Sequence, residues 1–221
     1  MGRKVGHKVT AIIPAYNEEQ RIASVLTVVE QASIVDEIIV VNDGSTDRTT
    51  EVVEGFKDVI LINKKENGGK GAALAAGVVA GDGDILVFID ADLIGLTPKH
   101  INSLIGPLLD DDELMMSVGK FAGGRLRTDL PQSLVPFISG QRALRRSFLE
   151  GLDLSKTKFG AEIALTRYAK ERGAKVEEVI INDVTHVMKE EKLGVMKGGW
   201  ARLSMYSDML RNLFFNQRDG L

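Results

Sequence analysis

An apolar run with strand character, Val87-Phe88-Ile89, delivers two carboxylates at its end, Asp90 and Asp92, with only Ala91 between them. Side chains two apart on extended backbone point the same way, so a chain that stays extended through Ala91 brings both carboxylates to one point. Two hard-oxygen groups so placed suit Mg²⁺ or Mn²⁺ carrying a diphosphate. An acidic pair of this kind can equally cap a strand and solvate a turn. The surrounding elements decide between the two readings.

The first half of the chain alternates short β-branched runs with helical patterns, the mark of βα repeats on a parallel sheet. Strands are expected at 9–13, stopped by Pro14, and at 37–41, 59–62 and 85–89. Helices are expected at 21–30, where Ile22, Val25, Leu26 and Val29 recur at helical spacing, and over the alanine-rich stretch 72–80. A further helix runs to Phe56, capped by Ser45 or Thr46, and another begins at Pro98. The second half is less regular. It predicts a strand at 115–118, helices at 141–149 and 161–172, a strand at 176–181 and a final helix at 200–215.

Four polar segments each follow a predicted strand: Tyr16-Asn17-Glu18-Glu19, Asn42-Asp43-Gly44-Ser45, Asn67-Gly68-Gly69-Lys70-Gly71 and Asp90-Ala91-Asp92. In one parallel sheet they share its carboxyl edge, where ligands bind. Together they offer carboxylates for a base or ribose, backbone N–H groups for an anion, a lysine for phosphate charge and a metal-binding pair. That is chemistry for a nucleoside diphosphate. Gly-Lys followed by Gly71 and Ala72 is no Walker A loop, because no hydroxyl follows to hold Mg²⁺, and no Gly-x-Gly-x-x-Gly follows the first strand.

Composition narrows the classes further. The 221 residues suffice for one well-buried core, and no linker-like segment divides them, so residues 1–221 read as a single domain. Net charge −3 argues against a nucleic-acid partner. The absence of cysteine excludes disulfides and thiolate metal sites. No apolar stretch reaches the length of a signal-peptide core or an integral membrane span, and a cytoplasmic protein is expected.

The ordered segments Ile13-Pro14-Ala15-Tyr16-Asn17-Glu18-Glu19, Val41-Asn42-Asp43-Gly44-Ser45-Thr46-Asp47, Gly69-Lys70-Gly71 and Asp90-Ala91-Asp92 closely resemble family-2 glycosyltransferases. The resemblance implies the α/β GT-A nucleotide-sugar fold, a Rossmann-like, mostly parallel sheet flanked by helices. Residues 9–110 would form the nucleotide-sugar half, and 111–221 the acceptor-side half with its C-terminal helix. It implies a donor-binding set of Pro14, Ala15, Tyr16, Glu18, Asp43, Lys70, Gly71, Asp90 and Ala91, with Asp92 on the metal and Asp90 beside it.

Later segments carry looser likeness. Ser139-Gly140-Gln141-Arg142-Ala143-Leu144-Arg145-Arg146 is similar to the acceptor-side segment of polyprenyl-phosphate sugar synthases. Phe159-Gly160-Ala161-Glu162-Ile163-Ala164-Leu165 and Val184-Thr185-His186 resemble those enzymes and the glucosyl-3-phosphoglycerate and mannosylglycerate-type synthases. By that likeness His186 is a metal ligand. Glu162 is the first candidate for orienting the acceptor or serving as general base, and Asp183 the second. Two family features are missing: the Glu-Asp pair with its Gln-x-x-Arg-Trp segment, and an Arg-x-x-Gly-x-Ser segment where His186 to Gly194 stand. Inverting or retaining outcome and acceptor therefore stay open.

Arg125, Arg127, Arg142, Arg145 and Arg146 form a dense basic set that fits either a phosphate or carboxylate site or a solvated face. Leu203, Tyr206, Leu210, Leu213 and Phe214 form a stripe suited to core packing, a homodimer contact or peripheral attachment at the inner membrane face. The expectation is a Mg²⁺- or Mn²⁺-dependent transferase moving a hexose from a nucleotide sugar, UDP-linked, to a small anionic or polyprenyl-phosphate acceptor. Its rivals are a sugar-nucleotide nucleotidyltransferase and a nucleotide-sugar-binding protein without turnover.

Overall fold

The computed structural model describes residues 6–122, 140–157 and 160–186. The chain divides after Thr185, and the architecture below is that of the unit Met1–Thr185. The helix expected at 200–215, with its apolar stripe, lies outside the described residues, as do Arg125, Arg127, Ser139 and Phe159.

Strands β1 (Val9–Ala15), β2 (Glu37–Asn42), β3 (Val59–Asn63) and β4 (Ile85–Phe88) are separated by helices α1 (Ile22–Glu30), α2 (Thr49–Glu54) and α3 (Lys70–Ala80). Beyond them come β5 (Leu93–Ile94), α4 (Pro98–Asp110), β6 (Leu114–Ala122), β7 (Arg142–Arg145), α5 (Ala161–Glu171), β8 (Lys175–Asn182) and β9 (Thr185–His186). Seven strands make one sheet in the order β3-β2-β1-β4-β7-β6-β8, and β5 with β9 makes a separate two-stranded sheet. All neighbouring strands of the large sheet run parallel except β7, which is antiparallel to β4 and β6. This is the Rossmann-like, mostly parallel arrangement.

Continuous apolar runs form these strands because both faces are covered. Ala11, Ile13, Val40, Val87 and Ile89 pack with Ile22, Val25 and Leu26 of α1 and Ile101, Leu104 and Leu108 of α4. The alternate residues Ile12, Leu86 and Phe88 pack with Leu74 of α3 and Leu165 of α5. Each such side chain contributes roughly 1.5–3 kcal/mol by leaving water. Gly77 lets α3 close onto the sheet: a Cβ there would lie 2.4 Å from Ile12 Cγ2.

Strand order reverses between β1 and β4, since β2 and β3 extend the sheet on one side of β1 and β4 lies on the other. That switch point opens a crevice at the carboxyl ends of β1 and β4.

Four expectations need correction. β1 does not stop at Pro14 but runs to Ala15. The Ile12 carbonyl accepts from Ile89 on the β4 side, and Pro14 faces the same way, past β4's last partner Phe88, so its missing N–H leaves no ladder bond unmade. α2 starts at Thr49 with Arg48 at the N-cap position, and the Thr49 N–H goes to Asp47 Oδ1 at 3.0 Å, not to Ser45 or Thr46. The predicted helix at 141–149 is instead β7 followed by a 3₁₀ turn, Arg146–Leu149, because Arg142–Arg145 fills the place between β4 and β6. Finally, the chain does not stay extended past Ile89: it turns at Ala91 and Asp92 before entering β5.

Candidate functional site

The four polar segments meet at the carboxyl edge because β1 to β4 are parallel. The first two are knitted together. Asn17, at φ 55°, donates its N–H to Ser45 Oγ at 2.9 Å, and its Oδ1 accepts the Thr46 N–H at 2.8 Å. The Glu18 N–H donates to Thr49 Oγ1 at 2.8 Å. Tyr16 is left half exposed above buried Ala15, a ring free to lie against a flat ligand.

Asp43, 3% exposed, fastens the glycine turn. Its Oδ1 accepts the Gly68 N–H at 3.0 Å and the Lys64 ammonium, and its Oδ2 accepts the Gly69 N–H at 2.7 Å. Gly69 has φ 85° and ψ 165°, a conformation open essentially to glycine alone. α3 begins at the next residue, so the turn is aimed by Asp43 and its helix N-terminus faces the crevice. Gly71 then backs onto the 3₁₀ turn Leu154–Thr157, where a Cβ would stand 2.5 Å from the Leu154 carbonyl.

Lys70 stands between two carboxylates. Its Nζ pairs with Asp90 Oδ1, and with Glu162 Oε1 at 2.5 Å. Burial alone would lower its pKa, but Asp90 and Glu162 outweigh that and hold the ammonium above its ordinary range. Gly140 lies directly against this pair, and a Cβ on it would collide with Asp90 Oδ2 and Lys70 Nζ.

Asp92, half-buried, follows in the turn. With Asp90 it could hold a hard divalent cation. Among the described residues no three His, Cys, Asp or Glu side chains gather into a metal cage. One or two carboxylates completed by phosphate oxygens are the usual mode for Mg²⁺, so the donor set fits such an ion shared with a diphosphate. Asp183 is exposed in a left-handed turn (φ 58°) between β8 and β9, with its carbonyl against Gly95. His186 is the last described residue, and its side chain is outside the described part.

The described arginines of the basic set serve the scaffold. Arg142 is fully buried, donates to Thr166 Oγ1 at 2.8 Å, and is pushed by burial down to about 10, with Glu162 opposing the shift. Arg145 donates to the carbonyls of Leu114, Leu108 and Asp111 at 3.0, 2.7 and 3.1 Å. Arg146 donates to the carbonyls of Gly83, Val78 and Gly81 at 2.7, 2.7 and 2.9 Å, closing the end of α3. None of the three offers a solvated fork to an acceptor. Conversely, Lys64 and Thr166 support the site although no motif marked them, and Gly140, marked only as part of the acceptor-side segment, lies against Asp90 and Lys70. Of the two unmarked residues only Lys64, a charge directly after an apolar strand, carried a local signal.

A sheet-edge crevice with a carboxylate-fastened glycine turn, a paired lysine and an acidic turn defines a GT-A nucleotide-sugar transferase fold. Residues 10–160 match the family model for glycosyl transferase family 2, and the chain belongs to that family. The glucosyl-3-phosphoglycerate synthase of Mycobacterium tuberculosis (H37Rv) is 31% identical over 199 residues, covering 73% of this chain and 60% of that protein. A dolichyl-phosphate beta-glucosyltransferase of Trichomonas vaginalis is 42% identical over 97 residues, 38% of this chain and 30% of that protein. The chain thus spans less than two thirds of the length of these curated relatives. A crystal structure of the M. tuberculosis synthase with Mn²⁺, UDP-glucose and phosphoglyceric acid superposes with TM-score 0.71 at 29% identity, over 84% of this chain and 74% of that one.

Proposed function

We propose that the protein is a Mg²⁺- or Mn²⁺-dependent hexosyltransferase that uses a UDP-sugar and a small phosphorylated acceptor. The observation that carries this reading is the convergence of Asp43, the Gly68-Gly69 turn, Lys70 and Asp90 at the switch point of a family-2 fold. The solved relative supports it with UDP-glucose, Mn²⁺ and phosphoglyceric acid. The dolichyl-phosphate relative keeps a polyprenyl phosphate as the second acceptor class.

In this reading Pro14, Ala15, Tyr16, Glu18 and Asp43 bound the base and ribose. Gly71 and Ala91 bring backbone close to the donor, and Lys70 offers positive charge to the diphosphate. Asp92, with Asp90 beside it, holds the metal; His186 joins them on the strength of the family resemblance. The bound metal supplies neutralisation of the charge that grows on the leaving diphosphate. An acceptor hydroxyl in an inverting transfer would need a base, for which the sequence offers Glu162 and Asp183; of the two, Glu162 is engaged by the Lys70 ammonium. A retaining transfer, or an acceptor that is already an anionic phosphate, needs neither. The partners are a nucleotide sugar and an anionic acceptor, with no role for nucleic acid. Among the described residues no helix is long and apolar enough to cross a membrane. A cytoplasmic location, peripheral attachment to the inner membrane face and a homodimer belong to the same proposal.

The test is a panel of UDP-, GDP-, ADP- and dTDP-sugars with Mn²⁺, Mg²⁺ or EDTA, reading released nucleoside diphosphate and thermal shift. Metal-dependent release from a UDP-sugar, accelerated by 3-carbon phosphorylated acids, is the expected outcome. Binding without release under every condition would support a silent binding protein instead, and no binding at all sinks the reading.

A further inference from the structure

The site contains a polar ring that closes on itself. Lys70 Nζ, at the start of α3, joins Asp90 after β4 to Glu162 on α5. One turn along α5, Thr166 Oγ1 donates to the Glu162 carbonyl at 2.8 Å and accepts from Arg142 Nη1 at 2.8 Å. Arg142 lies on β7 in register with Phe88 of β4, two residues before Asp90. Gly140, two residues before Arg142, backs onto Asp90 and Lys70. The first turn of α5, which carries Glu162, is therefore tied to the same strand pair that carries Asp90.

This geometry bears on what Glu162 does. A general base must present a lone pair to the acceptor hydroxyl directly or through one water. Glu162 Oε1 receives the Lys70 ammonium at 2.5 Å, which leaves Oε2 as the oxygen open to an acceptor. A lysine is a point charge on a flexible stem, and a single carboxylate partner leaves it several rotamers. Two partners on opposite elements fix it in one place.

Resting on the transferase reading above, we propose that Glu162 is a positioning residue that acts through Lys70. It holds the ammonium beside Asp90, where the donor diphosphate meets it, and does not take the acceptor proton. Glu162 therefore governs donor affinity from the acceptor-side half of the chain. Thr166 and the buried Arg142 fix its helix turn against β7.

The experiment has one arm that needs no donor. Lysine acetylation of the whole protein is mapped by mass spectrometry in wild type, Glu162→Gln, Glu162→Asp and the control Glu171→Gln, which breaks only an exposed pair with Arg167. Losing one carboxylate releases the ammonium from one of its two partners and leaves it freer to meet the reagent, so Lys70 labelling rises about threefold or more in Glu162→Gln, less in Glu162→Asp, and not in the control. In the second arm Glu162→Gln raises the donor KM about fivefold or more while kcat stays within about threefold and keeps the acidic limb of its pH profile, since loss of a true base costs about 10²–10⁴ in rate. Unchanged Lys70 labelling in both Glu162 variants overturns the proposal, as does an unmoved donor KM. A kcat collapse with loss of the acidic limb overturns it in favour of a base. A wild-type protein that binds no nucleotide sugar overturns the donor half together with the functional reading, while the labelling ratio still reports whether Glu162 holds Lys70.

Discussion

Asp43 Oδ2 accepts the backbone N–H of Gly69 at 2.7 Å, joining the end of β2 to a glycine turn 26 residues later. Oδ1 of the same carboxylate takes Gly68 and Lys64, so one buried side chain satisfies two amides and one ammonium. Removing it leaves the Gly68 amide and the Lys64 ammonium short of a partner, while the Gly69 amide keeps Asn67 Oδ1 at 3.1 Å. Asp43→Ala is expected to cost about 2–3 kcal/mol, since charged hydrogen bonds contribute about 1.5–3 kcal/mol and orphaned donors add desolvation. Asp43→Asn keeps one carbonyl oxygen and should cost less. Urea midpoints with an unchanged slope measure both. An Asp43→Ala midpoint equal to wild type would mean the turn holds itself.

The close approach of Gly71 to the 3₁₀ turn gives a second expectation. Its hypothetical Cβ meets Thr157 Oγ1 and also the Leu154 carbonyl. Gly71→Ala should cost about 1–3 kcal/mol, the usual range for overpacking. Adding Thr157→Ala should not rescue it, because the carbonyl is backbone and remains. Full rescue in the double variant would show that only the hydroxyl obstructs.

Much of the donor half is legible in the sequence for a physical reason. β1, β2 and β4 are buried on both faces, so each reads as an unbroken apolar run ending at a polar turn. β7 reads wrongly for the same kind of reason inverted. Arg142-Ala143-Leu144-Arg145 is as buried as β4, yet two of its four residues are arginines, a composition that suggests an amphipathic helix. Carbonyls at Leu114, Leu108 and Asp111 solvate Arg145, and Thr166 serves Arg142. Those partners are 24 to 37 residues away, so no local pattern reports them. Lys70 and Glu162, 92 residues apart, were each visible as candidates, but their pairing was not.

A pH dependence follows from Asp47. Partial burial pushes its carboxyl up, but hydrogen bonds from the Thr49 hydroxyl and the Thr49 and Glu19 amides outweigh that and hold it below the ordinary range. A carboxylate depressed in the folded state stabilises the fold above its unfolded value near pH 4, and that stability is lost as pH falls through the folded value. Asp47→Ala should therefore cost about 1 kcal/mol at pH 7, as for loss of a helix-start acceptor. Between wild type and variant the gap should narrow steadily from pH 5 toward pH 2 in parallel urea titrations. A gap that stays constant with pH would assign the cost to packing and not to charge.

Asp92 provides the sharpest separation of structure from function. It sits half-buried in the turn between β4 and β5, outside the apolar clusters that hold the sheet. Substitution there should leave the ligand-free fold within about 1 kcal/mol of wild type, as is usual for positions away from the core. A ligand at 100 times its Kd stabilises the folded state by about 2.7 kcal/mol, so UDP with Mn²⁺ should raise the wild-type Tm clearly. In Asp92→Ala that Mn²⁺-dependent part of the shift should vanish while any shift from UDP alone persists, because the glycine turn and Asp43 are untouched. His186→Ala should lose part of the Mn²⁺ increment, and less of the Mg²⁺ one, since imidazole suits the softer ion. Loss of the UDP-only shift in Asp92→Ala would place Asp92 in nucleotide contact or local structure. Retention of the full Mn²⁺ increment would move the metal to other oxygens, with Asp90 the first to test.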